Sequence, residues 1–357
     1  MRWGLLLIVL GLCGTTTGTV EAAETEPWND PFWSLLHEPA AIAELQLNAD
    51  QQQAFHALRD DLDLRFFPLR NQTKEVATAG TLKIIAEARE KLSDLLEPQQ
   101  FQRYQELVLQ RLGNDAFLHP LVVDRLKYNA AQQAKLEKIS AETNEAAAAL
   151  RQAVADQTKD RTAAQQEYTK LLERQQKKLL GVLTPIQQSA LRKVVGQPFT
   201  GLKTSQPHFR APDFSTAGEW LNSSPLSLKE LRGKVVVVHF YAFGCINCIR
   251  NYPWYLEWSE KFKDQEVVIV GIHTPETNAE QNSASVRRKA TEAKFRFPIL
   301  IDAKKENWNA WGNSMWPCVY VIDKQGYLRE QWAGELKWQG NDGEKYMRSK
   351  IEALLTE

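Results

Sequence analysis

Cys245 and Cys248 are separated only by Ile246 and Asn247, a spacing that sets two sulfurs about one helical turn apart. The preceding run, Lys234-Val235-Val236-Val237-Val238-His239-Phe240-Tyr241, has the β-branched, apolar character of a strand buried on both faces. After the pair, Ile249, Tyr252, Tyr255, Leu256 and Phe262 suit a helix. The cysteines therefore stand where a strand ends and a helix begins. At that junction the free N–H groups and the helix dipole favour a negative charge on the Cys245 sulfur, and Cys248 lies close enough to attack a mixed disulfide.

Further strands are predicted over Glu266–His273, around Pro298–Ile301, and over the pair Cys318–Asp323 and Tyr327–Trp332, so the region reads as an α/β sheet. Other chemistries fit the residues less well. A c-type haem needs a histidine directly after the second cysteine, where Ile249 stands. Cys245, Cys248, Cys318 and His273 offer soft ligands, but a second closely spaced ligand pair is missing, so no metal site is expected. The Pro-x-x-x-Thr-x-x-Cys setting of a peroxidatic cysteine is not provided by the stretch from Tyr241 to Cys245. Phe243, Trp254, Trp258, Trp308 and Trp311 read as core aromatics.

Cys-x-x-Cys after an apolar strand, Pro253 five residues beyond Cys248, and Trp316-Pro317 opening a later strand together resemble the thioredoxin fold. Gly244-Cys245-Ile246-Asn247-Cys248-Ile249-Arg250, Gly271-Ile272-His273-Thr274-Pro275-Glu276, Asn313, Trp316-Pro317, and Ile322-Asp323 with Gly326 resemble TlpA-like thioredoxins, in particular the soluble domain of DipZ-type proteins. The resemblance spans residues 207–357. It implies a thiol–disulfide oxidoreductase with no cofactor, in which Cys245 and Cys248 form the redox disulfide and Pro317 matches the cis-proline that helps hold the substrate's extended backbone. Its partners would be protein thiols and disulfides, together with a redox partner that recharges the pair. Four residues depart from the pattern or flank the site. His239 occupies the place of a common acid, either to accept a proton from Cys248 or as a hydrogen-bonded core histidine. Cys318 follows Pro317, either as a small core residue or as a third redox thiol. His273, at a strand end, shapes the site, as does Trp316.

The remaining sequence has a different character. The chain has 357 residues, 44 basic and 44 acidic, a length that suits two domains. A net charge of zero without long single-sign runs gives no electrostatic reason for nucleic acid or anionic membrane as partner. Eight of the eleven tryptophans follow residue 200, and residues 23–200 are rich in strong helix formers, so this part is predicted all-α. A linker is placed at 201–206, among prolines and glycines. Inside the helical part, Leu47-Asn48-Ala49-Asp50-Gln51, Leu96-Glu97-Pro98-Gln99-Gln100, Tyr128-Asn129-Ala130-Ala131-Gln132 and Leu183-Thr184-Pro185-Ile186-Gln187 repeat a helix-start pattern with capping-box character. They resemble the LTxxQ signature of the periplasmic Spy/CpxP-like helical proteins, which implies binding of unfolded clients or sensing of envelope stress. His37, His56 and His119 are isolated.

Arg2, the apolar stretch Leu5–Leu12 and Val20-Glu21-Ala22 read as a signal peptide of residues 1–22; the bulky Leu12 argues against lipidation of Cys13. No other apolar run approaches the ~18 residues of a membrane span. The sequence therefore describes an exported protein, placed in the bacterial periplasm, with an α-helical domain followed by an α/β thioredoxin-fold domain. The competing reading is a chaperone-like client binder whose thioredoxin domain is accessory.

Overall fold

The computed structural model describes residues 30–202, 208–215 and 218–357. The signal segment, Cys13 and linker residues 203–206 lie outside the described residues. The chain is helical first and a mixed sheet with helices afterwards. It divides into two compact units, residues 1–56 with 85–207, and residues 57–84 with 208–357. The second unit thus takes a 57–84 segment from the helical half in addition to residues 208–357. Among the described residues no helix is long and apolar enough to cross a membrane.

The helices of the first half are α1 (Pro31–Leu35), α2 (Pro39–Glu44), α3 (Ala49–Phe66), α4 (Lys74–Leu95), α5 (Pro98–Leu112), α6 (Pro120–Leu126), α7 (Ala130–Ala155), α8 (Arg161–Val182) and α9 (Pro185–Val195). In the first unit each repeated motif starts a helix. Asn129 and Thr184 accept the N–H groups of Gln132 and Gln187, whose side chains return to the capping residues' own N–H groups, and Asn48 with Gln51 does the same. The glutamines then pair. Gln51 and Gln100 exchange amide hydrogen bonds and reach the carbonyls of Leu95 and Leu45; Gln132 and Gln187 exchange theirs and reach Val182 and Leu126. A glutamine is required at these positions because one amide must accept at a cap and donate across to the end of another helix. Leu109, Val122, Leu136, Leu179 and Leu191 fill the core between these helices.

The second unit is built on a six-stranded sheet in the order β1-β4-β3-β2-β5-β6: β1 (Glu219–Leu221), β2 (Val235–Tyr241), β3 (Val267–His273), β4 (Ile299–Ile301), β5 (Cys318–Ile322) and β6 (Leu328–Ala333). β2, β3 and β4 run parallel, and β5 runs antiparallel to β2 and β6. The helices are α10 (Ile246–Lys261), α11 (Ser283–Glu292), α12 (Glu306–Ala310) and α13 (Gly343–Thr356), with a small ribbon of β7 (Lys337–Trp338) and β8 (Asn341–Asp342). This is the thioredoxin-like α/β arrangement expected from the cysteine motif. Every residue of β2 is buried, because alternation sends Val235, Val237 and Tyr241 to one core with Tyr255, Trp258, Met347 and Ile351 and Val236, Val238 and Phe240 to the other with Trp308, Trp311 and Tyr320. Phe67, from the short helical corner Phe67–Asn71 between α3 and α4, belongs to that second core.

Candidate active site

The register brings the expected site residues to one end of the sheet. Tyr241 closes β2 opposite His273 at the end of parallel β3, and antiparallel β5 begins with Cys318 opposite Phe240. The turn after β2 and the residues before β5 therefore share one edge, and these carry Cys245 and Trp316-Pro317. The Trp316–Pro317 peptide is cis. Trp316 is fixed on two sides: its indole N–H donates to Thr274 O at 3.2 Å, and its ring stacks on Trp308 at 3.9 Å. Thr274 in turn donates through its N–H to Tyr241 O and through its hydroxyl to Asp302, whose carboxylate also caps the start of α12 at Asn307 and Trp308. Buried Asp302 thereby ties β3, α12 and the Trp316 segment together.

The two cysteines are free thiols in unlike settings. Cys245 is the N-cap of α10, and its sulfur accepts the N–H of Cys248 at 3.4 Å. It is part-exposed, whereas Cys248 is fully buried. Burial, joined by the Cys245 hydrogen bond, pushes the Cys248 thiol well above its ordinary value. An accessible sulfur beside a buried one is an arrangement that can carry out stepwise thiol–disulfide exchange. Pro253 lies inside α10.

His239, on β2, makes no hydrogen bond to either cysteine. Its ring stacks on Tyr255 at 3.9 Å and meets Phe297 edge-on at 5.3 Å. Gly271, its register partner on β3, makes room for it: a Cβ there would lie 3.1 Å from His239 Nε2. Among the described residues neither ring nitrogen has a hydrogen-bond partner, and burial lowers the pKa to about 3. The hydrogen bond expected of a core histidine is not found among the described residues, and burial opposes the charged ring that accepting a proton from Cys248 would create. His273 is also buried, stacked on Phe243 at 5.3 Å, with its pKa lowered to about 4 by burial. Cys318 lies on the other core; burial raises its thiol to about 11, and its sulfur contacts Met315 O at 3.2 Å.

Glu280 is a site residue that the sequence reading passed over. Its side chain is buried, and it accepts N–H groups from Gly244 at 2.7 Å and from Glu276 and Thr277 at 2.8 Å. Burial alone would raise its pKa, but the three N–H donors outweigh that and hold it below the usual carboxylate range. Thr277-Asn278-Ala279-Glu280 has the spacing of a capping box and was legible as such. Its second task, fixing the residue before Cys245 across 36 positions of chain, has no local signal.

Residues 207–331 match the profile of the AhpC/TSA family. Among curated proteins the chain is similar to Protein DipZ of Mycobacterium tuberculosis, 38% identical over 128 residues covering 35% of this chain and 18% of that protein. It is also similar to thiol-disulfide oxidoreductase ResA of Bacillus anthracis, 29% identical over 125 residues covering 35% of this chain and 68% of that protein. The chain thus spans less than a fifth of the DipZ length. Among solved structures it resembles a thiol-disulfide isomerase from Corynebacterium glutamicum at 21% identity and TM-score 0.35, covering 41% of this chain and 97% of that one.

Proposed function

We propose that this protein is an exported thiol–disulfide oxidoreductase working through Cys245 and Cys248 on protein substrates. The observation that carries the proposal is the asymmetry of the pair: an exposed helix-capping sulfur and a buried one, at the same sheet end as Trp316-Pro317. In the reductive direction Cys245 attacks a substrate disulfide, and one substrate sulfur leaves as a thiol. Cys248 then attacks the sulfur of Cys245, the second substrate thiol departs with the remaining proton, and the Cys245–Cys248 bond holds the two electrons' worth of oxidation. A dithiol donor, the redox partner, resets the pair. The naming of ResA as a thiol-disulfide oxidoreductase supports the same chemistry. Ile246, Ile249 and Met315 are 58%, 40% and 51% exposed beside Cys245 and Trp316, an apolar rim suited to a protein rather than to a small polar thiol. Pro317 is assigned to the substrate's extended backbone.

The full chain, reduced and freed of reductant, should release two thiols per chain from an oxidised disulfide protein. Cys245→Ser should release none; release at the wild-type level would refute the assignment. Peroxide consumption is the competing chemistry suggested by the family profile, but Val238 and Ala242 stand where the peroxidatic pattern has Pro and Thr ahead of Cys245. Export rests on the residue 1–22 pattern, and the mass of the exported chain, starting at Ala23, checks it. The Spy/CpxP-like character of the helical half is a separate reading supported by its four capped glutamine motifs. Suppression of client aggregation by a full chain lacking both active-site thiols would distinguish it from redox activity.

A further inference from the structure

The corner Phe67–Asn71 lies outside the 207–331 stretch that matches the family, yet it is bonded to the segment leading into the proline. Phe67 is fully buried and meets Trp311 edge-on at 5.6 Å. Arg70 places its guanidinium 3.8 Å over the Phe67 ring and donates to Trp311 O at 2.8 Å, to Tyr320 OH at 3.4 Å and to Gln331 at 2.6 Å. Asn71 donates to Gly312 O. The Tyr320 hydroxyl that receives Arg70 itself donates to Asn313 at 2.6 Å. Three successive residues, 311, 312 and 313, are therefore held by one corner, directly or through Tyr320.

The fit is close from the other side as well. Gly312 has a φ of +60°, and a Cβ there would stand 2.7 Å from Pro68 Cα and 2.9 Å from Pro68 O. Glycine is needed both for the left-handed backbone and for the approach of the corner. Three residues after Asn313 come Trp316 and Pro317, and Trp316 is the residue anchored to Thr274 and Trp308. The segment from 311 to 317 is thus pinned at one end by the corner and at the other by the site.

We propose that the Phe67–Asn71 corner sets the position of the substrate-binding segment before Pro317, with Arg70 and Asn71 as positioning residues. The inference rests on the thiol–disulfide reading above. A guanidinium fork satisfies two carbonyl and hydroxyl acceptors at fixed angles, which a point charge does not. Loosening it moves the Pro317 segment against the substrate backbone while leaving the Cys245 turn, held by α10 and Glu280, in place. Small misplacements of binding groups cost reactions heavily, so the loss is confined to substrates that use the segment.

The test compares full-chain wild type, Arg70→Ala, Asn71→Ala and Gly312→Ala on two oxidised probes: insulin, which offers extended backbone, and a small aromatic disulfide, which offers none. Expected are KM values for insulin raised about tenfold with kcat little changed, and rates on the small disulfide within about twofold of wild type. Equal insulin KM values in wild type and variants would overturn the proposal, as would parallel losses on both probes that track lowered melting temperature, the pattern of a merely structural corner. If Arg70→Ala does not fold, Asn71→Ala, which removes a single bond, decides the question. Wild type inactive on both probes would instead refute the thiol–disulfide reading itself.

Discussion

Cys248→Ser is expected to convert the protein into a trap: mixed with an oxidised protein disulfide, it accumulates a one-to-one covalent adduct through Cys245. In the proposed mechanism Cys248, buried in the first turn after Cys245, is the residue that resolves the mixed disulfide. A serine hydroxyl there is neither nucleophilic enough toward sulfur nor able to carry the oxidation. Loss of a nucleophile typically costs about a thousandfold or more, so the adduct should outlive the wild-type intermediate by at least that factor. Intact mass under non-reducing conditions reads the adduct, and its disappearance in the Cys245→Ser, Cys248→Ser double variant assigns it. Persistence of the adduct in the double variant would move the attacking thiol to Cys318. That residue starts from a raised pKa near 11 and a buried position, both of which oppose attack.

Acid is expected to destabilise the second unit well before its carboxylates are all neutral. His239 and His273 have folded-state pKa values of about 3 and about 4, below the 6.5 of an unperturbed imidazole, because burial disfavours the charged ring. The unfolded chain therefore binds protons that the folded one refuses. Their stabilisation is fully present above about pH 6.5 and is lost as the pH falls from there toward 4 and then 3, at up to about 1.4 kcal/mol per pH unit for each histidine. Denaturant melts at pH 7.5 and pH 5 should show this fall, and His239→Leu should remove the share belonging to that ring, since an aliphatic side chain titrates nowhere in the window. A stability gap between the two pH values that is the same in wild type and His239→Leu would show that His239 gains a proton without cost, in conflict with its sealed aromatic surroundings.

The candidate site was legible because its signals are local and dense. A run of valines specifies a doubly buried strand, two cysteines sit at its exit, and a Trp-Pro pair opens a later strand, so periodicity and spacing sufficed for β2 to β6 and for α10. The short edge strand β1, the ribbon β7–β8 and α11 to α13 carry weaker patterns, and the sequence reading did not reach them. His239 was legible as an anomaly but not as a stacked ring, since the space it fills is provided by Gly271 on another strand. Glu280 announced its cap but not its grip on Gly244. The repeated glutamines were readable as helix starts, while their pairing across the helices required knowing which helix ends meet. The corner at Phe67 lay inside an apparently uniform helical stretch. Nothing local in Phe-Pro-Leu-Arg-Asn says that its phenylalanine completes a sheet's core.

Redox titration of the full chain bears most directly on the central claim. The protein is equilibrated across glutathione buffers of graded potential, quenched with alkylating agent, and mapped by peptide mass. The expected result is one two-electron transition, with a tenfold change in the oxidised-to-reduced ratio for every ~30 mV, in which Cys245 and Cys248 pass together from thiols to a shared disulfide while Cys318 stays a thiol throughout. A chain that shows no transition, or whose disulfide pairs Cys318 with either of the other two, would contradict it.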